Sequence, residues 1–597
     1  MKSLGFKDYE TLLAFLNAAV QGAVDDSELL LDHPPATSLG HEFRYRSADG
    51  SGNNINHPEL GAANGPYAKT VPPLTFQNPS QPDPSTIFDT QMARGNTFQP
   101  YPQGISSMMF YLATLIIHDC FQTSSSDYNM NLTSSHLGLS PLYGWNEAEQ
   151  KAMRTLEDVL LKLDCFSSKR VLGFSPGCGV FLVMFKRFHN YVVTQLAKIN
   201  ENGRFNKPSP EAGNVAWEKY DNDLFQTGRL ITRGLSILAF NHVDTTWSLD
   251  PRSKSGKNMF SQRSPRGVGN QFSVECNLLH RWHSTDTNEA AVPRVLRALA
   301  KFDRDIPDEP ENRRELGGLV CQADSTFDDD GLVKLLSGSI EDIASSFGAN
   351  RVPNVFKTAR YWNVVTLNEF RAFMGLTKHT TFGDINPDPV VAKKLKDLYD
   401  SPDAVEIGLC INYITGKTIL SDAVSLIRGN RFYMLYYTPK NLTNWGYNEP
   451  HSDPKISHGH VMHKLIFRAF PNNFQHNSIY AHYPFVIPSK NKQIYDNLGP
   501  LLRGSGGVYR ELRGDLVVED CEPIAVHEGE IRSRSLRVGK RVVVDLAAVL
   551  RDAGAFPEPE KVRSDRDPKL YGHYFGNGTP FLEASTGWFI MTAALRV

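Results

Sequence analysis

Apolar residues recur at helical spacing through most of the middle of the chain. A helix that packs against a core repeats its apolar positions about every 3.6 residues. Five stretches either have this pattern or are apolar nearly all round: residues 108–121, 179–200, 217–240, 367–374 and 390–398. Clusters of Gly, Pro and Asp mark the joints between helical stretches. The pattern therefore predicts a mostly α-helical body over residues 95–487.

The two ends of the chain differ from this body. The first 22 residues have the spacing of an amphipathic helix, and residues 32–94 are rich in Pro, Gly and Asn with little periodicity. We interpret residues 1–94 as a helix followed by an extended arm laid over the body. Beyond residue 488, short β-branched runs such as DLVVED and RVVVDLAAVL indicate a separate α+β segment over residues 488–597.

Composition narrows the class of protein. The 597 residues exceed what one hydrophobic core usually organises, so we expect a large domain with appended segments. A hydrophobic content of 41% is enough to build a large core, so we expect a globular protein. The 63 Lys and Arg residues nearly balance the 65 Asp and Glu residues, which leaves a net charge of -2. Such a balance provides no field that attracts nucleic acid, so no nucleic-acid partner is expected.

Hydropathy and cysteine usage bear on the compartment. Nowhere do 18 consecutive apolar residues occur, so no transmembrane segment is expected. The N-terminus lacks the unbroken apolar run of a signal peptide, and the 7 cysteines are scattered without a CxxC pair. We expect a cytoplasmic protein with reduced thiols, and peripheral association with lipid stays open.

Three histidines are candidates for chemistry. His118 lies in the apolar stretch 108–121, where a lone histidine is most often a core residue bonded to a carbonyl. His280 and His283 lie three residues apart in LLHRWH and so face one side of a helix, a spacing also found in surface helices and zinc sites. Together, a buried histidine and a distant aromatic-rich pair in a helical body suit haem, with one imidazole on the iron and the other acting on bound oxygen or peroxide.

A looser group of histidines is less informative. Its members share one short region of the chain: His451, His458, His460 and His463. No carboxylate or cysteine stands at metal-ligand spacing from them. We interpret the group as part of a surface loop.

Several ordered motifs carry a resemblance to a known family. They are GHEFRYRSADGSGNNI, TLIIHDCFQT, SPLYGWN, FLVMFKRFHNYVV, DNDLFQTGRLI, GNQFSVECNLLHRWH, TLNEFRAFMGL, ILSDAVSLIRGNRFY, TPKNLTNWGY and KLIFRAFPNNF. Over nearly its whole length the sequence resembles the cyclooxygenase and animal-type haem peroxidase superfamily. Within it the resemblance is closest to the fungal fatty-acid oxygenases called psi-factor-producing oxygenases and linoleate diol synthases.

The resemblance implies a fold and a set of site residues. The fold would be the mostly α-helical haem peroxidase fold, with a small α+β remnant at the C-terminus. His118 corresponds to the distal histidine and His283 to the proximal ligand of the haem iron. Asn277 and Trp282 match the asparagine and tryptophan of the proximal motif, and we expect them to contact the cofactor. The expected cofactor is haem b, held without a covalent bond because Ile117 stands where mammalian peroxidases have an ester-forming aspartate.

Other positions depart from the family pattern. His280 replaces the tyrosine that forms the radical in relatives that oxygenate fatty acids. An imidazole is much harder to oxidise by one electron than a phenol, so cyclooxygenase-type dioxygenation is in doubt. Thr114 replaces a glutamine that many relatives carry near the distal histidine, which removes a donor that assists peroxide cleavage.

The calcium loop of the peroxidases is also altered. Asp119 and the hydroxyls of Ser134 and Ser140 remain, but the loop carboxylate position is Gly138. Calcium prefers several hard, charged oxygen ligands, and the loss of one carboxylate weakens such a site. We therefore expect no bound calcium.

The C-terminal segment resembles the end of the Cys-ligated haem monooxygenase domain that fungal relatives append. Phe575 and Gly578 align with its thiolate loop, and Leu582 stands at the cysteine position. Without a thiolate that iron site cannot form. We interpret residues 488–597 as a truncated monooxygenase-like segment lacking the thiolate ligand.

Three functional hypotheses remain. In the first, a haem-dependent oxidoreductase oxidises a lipophilic substrate or a fungal biosynthetic intermediate directly through a ferryl haem, with His118 assisting peroxide cleavage and the role of His280 left open. In the second, another tyrosine carries the radical and dioxygenation of a linoleate-type fatty acid survives. In the third, a non-catalytic relative binds haem or lipid. The implied partners are a lipophilic small molecule and hydrogen peroxide or dioxygen, and a homo-oligomer stays open.

Overall fold

The computed structural model describes most of the predicted helical body. The described residues are 43–74, 81–92, 98, 100–155, 159–168, 171–172, 174–239, 266–279, 316–319, 321–344, 353–407, 422–451, 460–491, 509–512, 515–518, 530–531 and 534–535. The predicted helix over the first 22 residues lies outside them.

Helices dominate the described residues. The α-helices are α1 (Pro84–Ile87), α2 (Ser107–Cys120), α3 (Ser140–Tyr143), α4 (Glu147–Ala152), α5 (Pro176–Ile199), α6 (Asn214–Ala239), α7 (Val274–Leu279), α8 (Asp329–Glu341), α9 (Pro353–Tyr361), α10 (Leu367–Phe373), α11 (Phe382–Ile385), α12 (Pro389–Leu398), α13 (Arg431–Leu435), α14 (Pro439–Leu442), α15 (Asn444–Asn448), α16 (Met462–Ala469) and α17 (Ile479–His482). Residues 88–92 form a π-helix, and residues 201–203 and 402–404 form 3-10 turns. The five predicted helical stretches are confirmed as α2, α5, α6, α10 and α12. None of the described helices is long and apolar enough to cross a bilayer.

Strands are short and form three two-stranded sheets among the described residues. They are β1 (Gly65–Pro66), β2 (Met130–Asn131), β3 (Tyr509–Leu512), β4 (Asp515–Val518), β5 (Glu530–Ile531) and β6 (Arg534–Ser535). β1 pairs antiparallel with β2, β3 pairs with β4, and β5 pairs antiparallel with β6. The predicted strand in DLVVED is therefore confirmed, whereas RVVVDLAAVL lies outside the described residues.

The chain divides into two compact units. One comprises Met1–Asn497 with Glu511–Val517, and the other comprises Leu498–Arg510 with Val518–Val597. The first unit contains all the α-helices named above. The predicted domain boundaries after residues 94 and 487 stay predictions.

Helices α5 and α6 form the centre of the first unit. α5 begins at Pro176, whose fixed φ suits the first helical turn, and it buries Phe181 and Phe185 completely. α6 packs along it, and a Cβ at Gly228 would lie 2.5 Å from Val193 Cγ2. Glycine at this position therefore allows the two helix backbones to approach closely.

A second apolar cluster holds α7 in place. Leu278 and Leu279 of α7 pack with Phe356 of α9, Phe370 of α10 and Leu395 of α12, and all five side chains are buried. Each such side chain contributes about 1.5–3 kcal/mol when it leaves water. The helix that carries the start of the proposed proximal motif is thus anchored by its apolar residues.

The interpretation of the histidine group as a surface loop is wrong for the members that the structure describes. His451, His460 and His463 are at most 7% exposed. The His463 ring stacks on His482 with centroids 5.2 Å apart, so aromatic packing accounts for its burial. His458 lies outside the described residues. Within the described part, no group of three or more His, Cys, Asp or Glu side chains could hold a metal ion.

Candidate active site

Helix α2 is fixed at its beginning by two serine hydroxyls. Ser106 Oγ donates a hydrogen bond to the Pro484 carbonyl at 2.6 Å. Ser107 Oγ donates to the Asp342 carboxylate at 2.7 Å. The helix ends at Cys120, because the following residue has an extended backbone. These contacts set the position of the last helical turn, which carries His118 and Asp119.

His118 lies at the partly open side of α2. Its side chain is half-buried, and its ring stacks on Phe174 with centroids 4.4 Å apart and an interplanar angle of 20°. One turn earlier, Thr114 Oγ1 donates to the Phe110 carbonyl at 2.8 Å. The Thr114 hydroxyl proton is therefore used within the helix, as is common for threonine in helices.

Asp119 points into the protein and binds the loop that follows α2. Its carboxylate accepts hydrogen bonds from Leu139 N at 2.8 Å, Ser140 N at 2.7 Å and Ser140 Oγ at 2.5 Å. The residue is only 3% exposed. Burial raises the pKa of the Asp119 carboxyl, against the lowering effects of the Ser140 and Leu139 hydrogen bonds and of the Arg233 charge. The chain itself thus provides the partners of this buried acid.

The altered calcium loop lies beside guanidinium groups. Ser134 Oγ donates to the His136 carbonyl at 3.3 Å, and Ser140 Oγ is bound to Asp119. A Cβ at Gly138 would lie 3.5 Å from Arg46 Nη1. In the described part of this loop, Asp119 is the carboxylate partner, and the Arg46 guanidinium lies beside Gly138. The absence of bound calcium stays a prediction.

Asn277 links α7 to the segment after α2. Its side chain is fully buried, and its Nδ2 donates to Thr123 Oγ1 at 3.2 Å. The same hydroxyl shares a hydrogen bond of 2.9 Å with Tyr67 OH. Phe121 and Phe272 pack nearby with ring centroids 5.2 Å apart. The structure therefore brings the beginning of the proposed proximal motif to the end of the proposed distal helix.

The remaining predicted site residues lie outside the described residues. α7 is described to Leu279, and His280, Trp282 and His283 follow directly in the sequence. Their roles stay predictions. Of the predicted set, the structure therefore places His118 and Asn277.

Two carboxylates that sequence reasoning did not single out interact with Cys276 of α7: Glu275 is buried and Asp422 is half-buried. Glu275 accepts hydrogen bonds from Thr70 N at 3.1 Å and Val71 N at 3.0 Å, which ties the N-terminal arm to α7. Burial raises the pKa of Asp422 to about 6, while the Cys276 hydrogen bond lowers it and the Glu275 charge raises it further. The available signal was a carboxylate inside the apolar run FSVECNLL.

A second missed feature is a pair of arginines on α6. Arg229 and Arg233 are 3% and 1% exposed. Four residues apart, they lie on one face of the helix. Two cations at this spacing within an apolar stretch were the signal that could have identified them.

Comparison with known proteins supports the sequence-based resemblance. Residues 45–131 match the animal haem peroxidase family. Linoleate diol synthase of Gaeumannomyces graminis is 52% identical over an alignment that covers 83% of this chain and 50% of that protein. Psi-producing oxygenase A of Aspergillus fumigatus is 47% identical, with coverages of 79% and 48%. The chain spans about half the length of the curated relatives it matches.

Solved structures support the fold. The crystal structure of fatty acid alpha-dioxygenase from Arabidopsis thaliana has a TM-score of 0.53 at 15% identity, and the match covers 75% of this chain and 83% of that chain. At this identity the match concerns the fold alone, and it confirms the predicted helical peroxidase fold. The chain is thus a homologue of the fungal linoleate diol synthases and psi-producing oxygenases, with the fold of the animal haem peroxidase superfamily.

Proposed function

We propose that this protein is a haem-dependent oxidoreductase that oxidises a lipophilic substrate. The observation that carries the proposal is the hydrogen bond that joins α7 to the segment after α2. A half-buried imidazole, His118, lies on α2. Asn277 of α7 donates a hydrogen bond to Thr123, in the segment that follows α2. The names of the relatives, which include linoleate diol synthase, support a fatty acid or a related lipid as the substrate class.

The residues of the chain fit haem binding. The His118 ring has one face against Phe174 and is half-buried, so part of the ring can face a flat ligand. Imidazole is the usual protein ligand of haem iron in peroxidases, and His283 would supply it, with Trp282 and Asn277 around it. Ile117 offers no carboxylate for an ester bond, so the haem b would be held without a covalent bond. When bound, the haem supplies oxidation chemistry that side chains alone do not have.

His118 would act as the proton carrier of the site. In its neutral form an imidazole takes a proton from a peroxide and returns it to the departing oxygen, and such acid–base catalysis contributes typically about 10²–10⁴-fold. The Thr114 hydroxyl is committed to the Phe110 carbonyl and does not assist. Of these two residues, His118 alone would therefore transfer the proton.

His280 sets the reaction class in this proposal. It stands where the related dioxygenases have their radical tyrosine, and an imidazole does not replace a phenol in one-electron chemistry. Substrate oxidation would then proceed without a protein radical at this position, as peroxygenation, oxidative coupling or desaturation of a lipid or biosynthetic intermediate.

Oxygen uptake and product analysis test this proposal. We expect the haem-loaded protein to oxidise a reporter phenol with hydrogen peroxide and to take up no oxygen with linoleate. His280→Tyr should gain linoleate oxygenation, and His280→Phe is the matched control that adds a ring without a phenol. Linoleate-dependent oxygen uptake by the unaltered protein would overturn the assigned reaction class.

A second reading keeps fatty-acid dioxygenation through another tyrosine. Tyr67 is a specific candidate, because its hydroxyl shares Thr123 Oγ1 with Asn277. A tyrosyl radical detected by electron paramagnetic resonance after peroxide addition, and lost in Tyr67→Phe, would favour this reading. If neither phenol nor linoleate is oxidised, the protein is a non-catalytic haem or lipid binder.

The proposal extends to the rest of the chain. Residues 95–487 would form the haem-binding body, and residues 488–597 would lack a second iron site. Calcium would be absent, since Gly138 and Arg46 replace its second carboxylate with a positive surrounding. A cytoplasmic location, peripheral association with lipid and a homo-oligomeric state are further parts of the proposal that fractionation and light scattering can test.

A further inference from the structure

Three guanidinium groups converge on one buried region of the first unit. Arg229 and Arg233 come from α6, and Arg46 comes from the N-terminal arm. All three are at most 7% exposed. Buried cations require an anionic or hydrogen-bonding partner, because taking a charge out of water costs several kcal/mol otherwise.

The hydrogen-bonding capacity of these groups is largely unused. Among the described residues, none of the three guanidinium nitrogens of Arg233 has a hydrogen-bond partner, and Arg46 Nη1 and Arg229 Nε also have none. Arg46 Nη2 donates to Asn430 Oδ1 at 2.8 Å, and Arg229 Nη1 makes a long contact of 3.5 Å with the Ser47 carbonyl. Most buried polar atoms in proteins are bonded, so five orphaned donors in one region call for an occupant.

One aromatic ring lies near the guanidinium group of each of the three arginines. Phe432 lies 5.3 Å from the Arg46 guanidinium, Tyr143 lies 5.2 Å from that of Arg229, and Tyr433 lies 5.6 Å from that of Arg233. These stacking contacts stabilise a cation through its face.

Asp119 is close enough to attract the cluster but does not neutralise it. Its charge raises the pKa of Arg229, Arg233 and Arg46, although burial lowers all three. Its carboxylate already accepts three hydrogen bonds from Leu139 and Ser140. Three positive groups therefore face one negative group, which leaves an excess positive charge at this place.

A cavity lies among the arginines. The cavity has a volume of about 20 Å³. The side chains that line it include Arg44, Arg46, Arg229 and Arg233. Such a space holds more than a single water-sized sphere. Gln226 adds a polar side chain to the wall.

We propose that this cavity binds a small oxyanion of the phosphate or sulfate class. Guanidinium groups donate pairs of parallel hydrogen bonds whose spacing matches two oxygens of such an anion. A tetrahedral oxyanion can accept from several guanidinium edges at once, whereas chloride presents no such set of oxygens. The site is independent of the proposed haem chemistry, and its ligand supplies the negative charge that the cluster lacks.

Isothermal titration calorimetry with inorganic phosphate tests the site in the full-length protein. The titration is run in chloride buffer at constant ionic strength and repeated with sulfate. We expect saturable binding to the unaltered protein and an affinity at least about tenfold lower in Arg233→Met, since a charge-assisted hydrogen bond contributes about 1.5–3 kcal/mol. Arg468→Met is the matched control, because Arg468 is a partly exposed arginine of α16 that pairs with Glu449.

Thermal unfolding provides a second readout that a purely structural arginine would not change. Without oxyanion, Arg233→Met is expected to be at least as stable as the unaltered protein, because it removes an uncompensated buried charge. At one phosphate concentration, the melting temperature should rise more for the unaltered protein than for Arg233→Met, because the variant binds the anion more weakly. Arg46→Met serves as a second variant if Arg233→Met does not fold. Heat and melting curves that respond equally to phosphate and chloride, or an unchanged affinity in both arginine variants, would overturn the proposal.

Discussion

Two neighbouring residues of α2 lie in opposite surroundings. His118 is half-buried, and its ring stacks on the ring of Phe174. Asp119 is almost fully buried, and its carboxylate accepts three hydrogen bonds from the loop that follows. The two residues are adjacent in sequence, yet a helix turns consecutive side chains about 100° apart and so directs them into different environments.

This contrast assigns a structural role to Asp119 and the proposed chemical role to His118. Asp119 holds the loop after α2 and attracts the arginines around it, so its charge has a structural use. His118 is half-buried with its ring stacked on Phe174, and in the proposed function its charge-neutral ring transfers a proton. The comparison predicts that substitutions on the two faces of one helix affect different measurements.

The largest expected effect concerns Asp119. Asp119→Ala removes three hydrogen bonds and leaves the Arg233 charge without its attracting carboxylate. Loss of one partner from a buried charged network costs about 3–5 kcal/mol of unfolding free energy. Urea denaturation measures this loss. The control is Asp324→Ala, an exposed turn carboxylate bonded to Thr326, which should cost less than about 1 kcal/mol.

If the two Asp variants unfold at the same urea concentration, the structural role of Asp119 is wrong. Such a result would mean that water or another acceptor takes the hydrogen bonds of Leu139 and Ser140 without a loss of stability. It would also remove the contrast between the two faces of α2.

The next effect concerns His118. His118→Ala should lower kcat/KM for peroxide with a reporter phenol by about 10²–10⁴-fold, because it removes the acid–base group. Its unfolding free energy should change by less than about 1 kcal/mol. Phe174→Leu is the matched control, which removes the stacked ring but keeps the imidazole. A His118→Ala variant that keeps full activity would show that another residue carries the proton.

Asp422, a half-buried acid, sharpens the comparison with the almost fully buried Asp119. Its pKa is raised from 3.8 to about 6 by burial and by Glu275, so between these values the folded protein holds a proton that the unfolded chain has released. The stability contributed by this group is therefore present at low pH and lost as pH rises through about 6. We expect Asp422→Asn to remove that part of the pH dependence, whereas Asp324→Asn, at an exposed carboxyl whose pKa is lowered by its Thr326 hydrogen bonds, should leave it in place. Urea titrations between pH 4 and pH 7, at about half-unit steps, measure the difference. An unchanged slope in Asp422→Asn would contradict the raised pKa.

The smallest expected effect concerns Thr114. Thr114→Gln restores an amide donor one turn before His118, and one added hydrogen bond of about 1 kcal/mol corresponds to roughly fivefold in rate. Peroxide-dependent oxidation of the reporter phenol measures the gain. Thr114→Leu, which adds bulk without a donor, is the control, and equal rates in the two variants would rule out a role for the donor.

The sequence predicted the helical body well because its apolar spacing is a local property. Residues 108–121 and 217–240 became α2 and α6 with ends shifted by only a few residues. The pairing of Asn277 with Thr123 could not be predicted from spacing, since it depends on how two distant segments meet. The resemblance to a family predicts that both helices belong to one site, and this stays a prediction.

Buried charge was the feature that sequence reasoning missed most. Charged residues are expected at the surface unless they are paired. Sequence reasoning did not distinguish Arg229, Arg233 and Asp422 from such surface residues. For His460 and His463 the lack of a carboxylate or cysteine at metal-ligand spacing predicted a surface loop, yet both side chains are buried. Their burial depends on tertiary contacts, such as the stacking of His463 on His482, that no local pattern encodes.

The central claim is that this chain binds haem through His283, and the absorption spectrum of the haem-loaded protein tests it most directly. We predict a Soret band for the unaltered protein and for His280→Ala, and loss or a marked shift of that band in His283→Ala. His280 is the matched control because it lies three residues away in the same motif. A protein without a Soret band, or a His283→Ala variant whose spectrum matches that of the unaltered protein, would contradict the account.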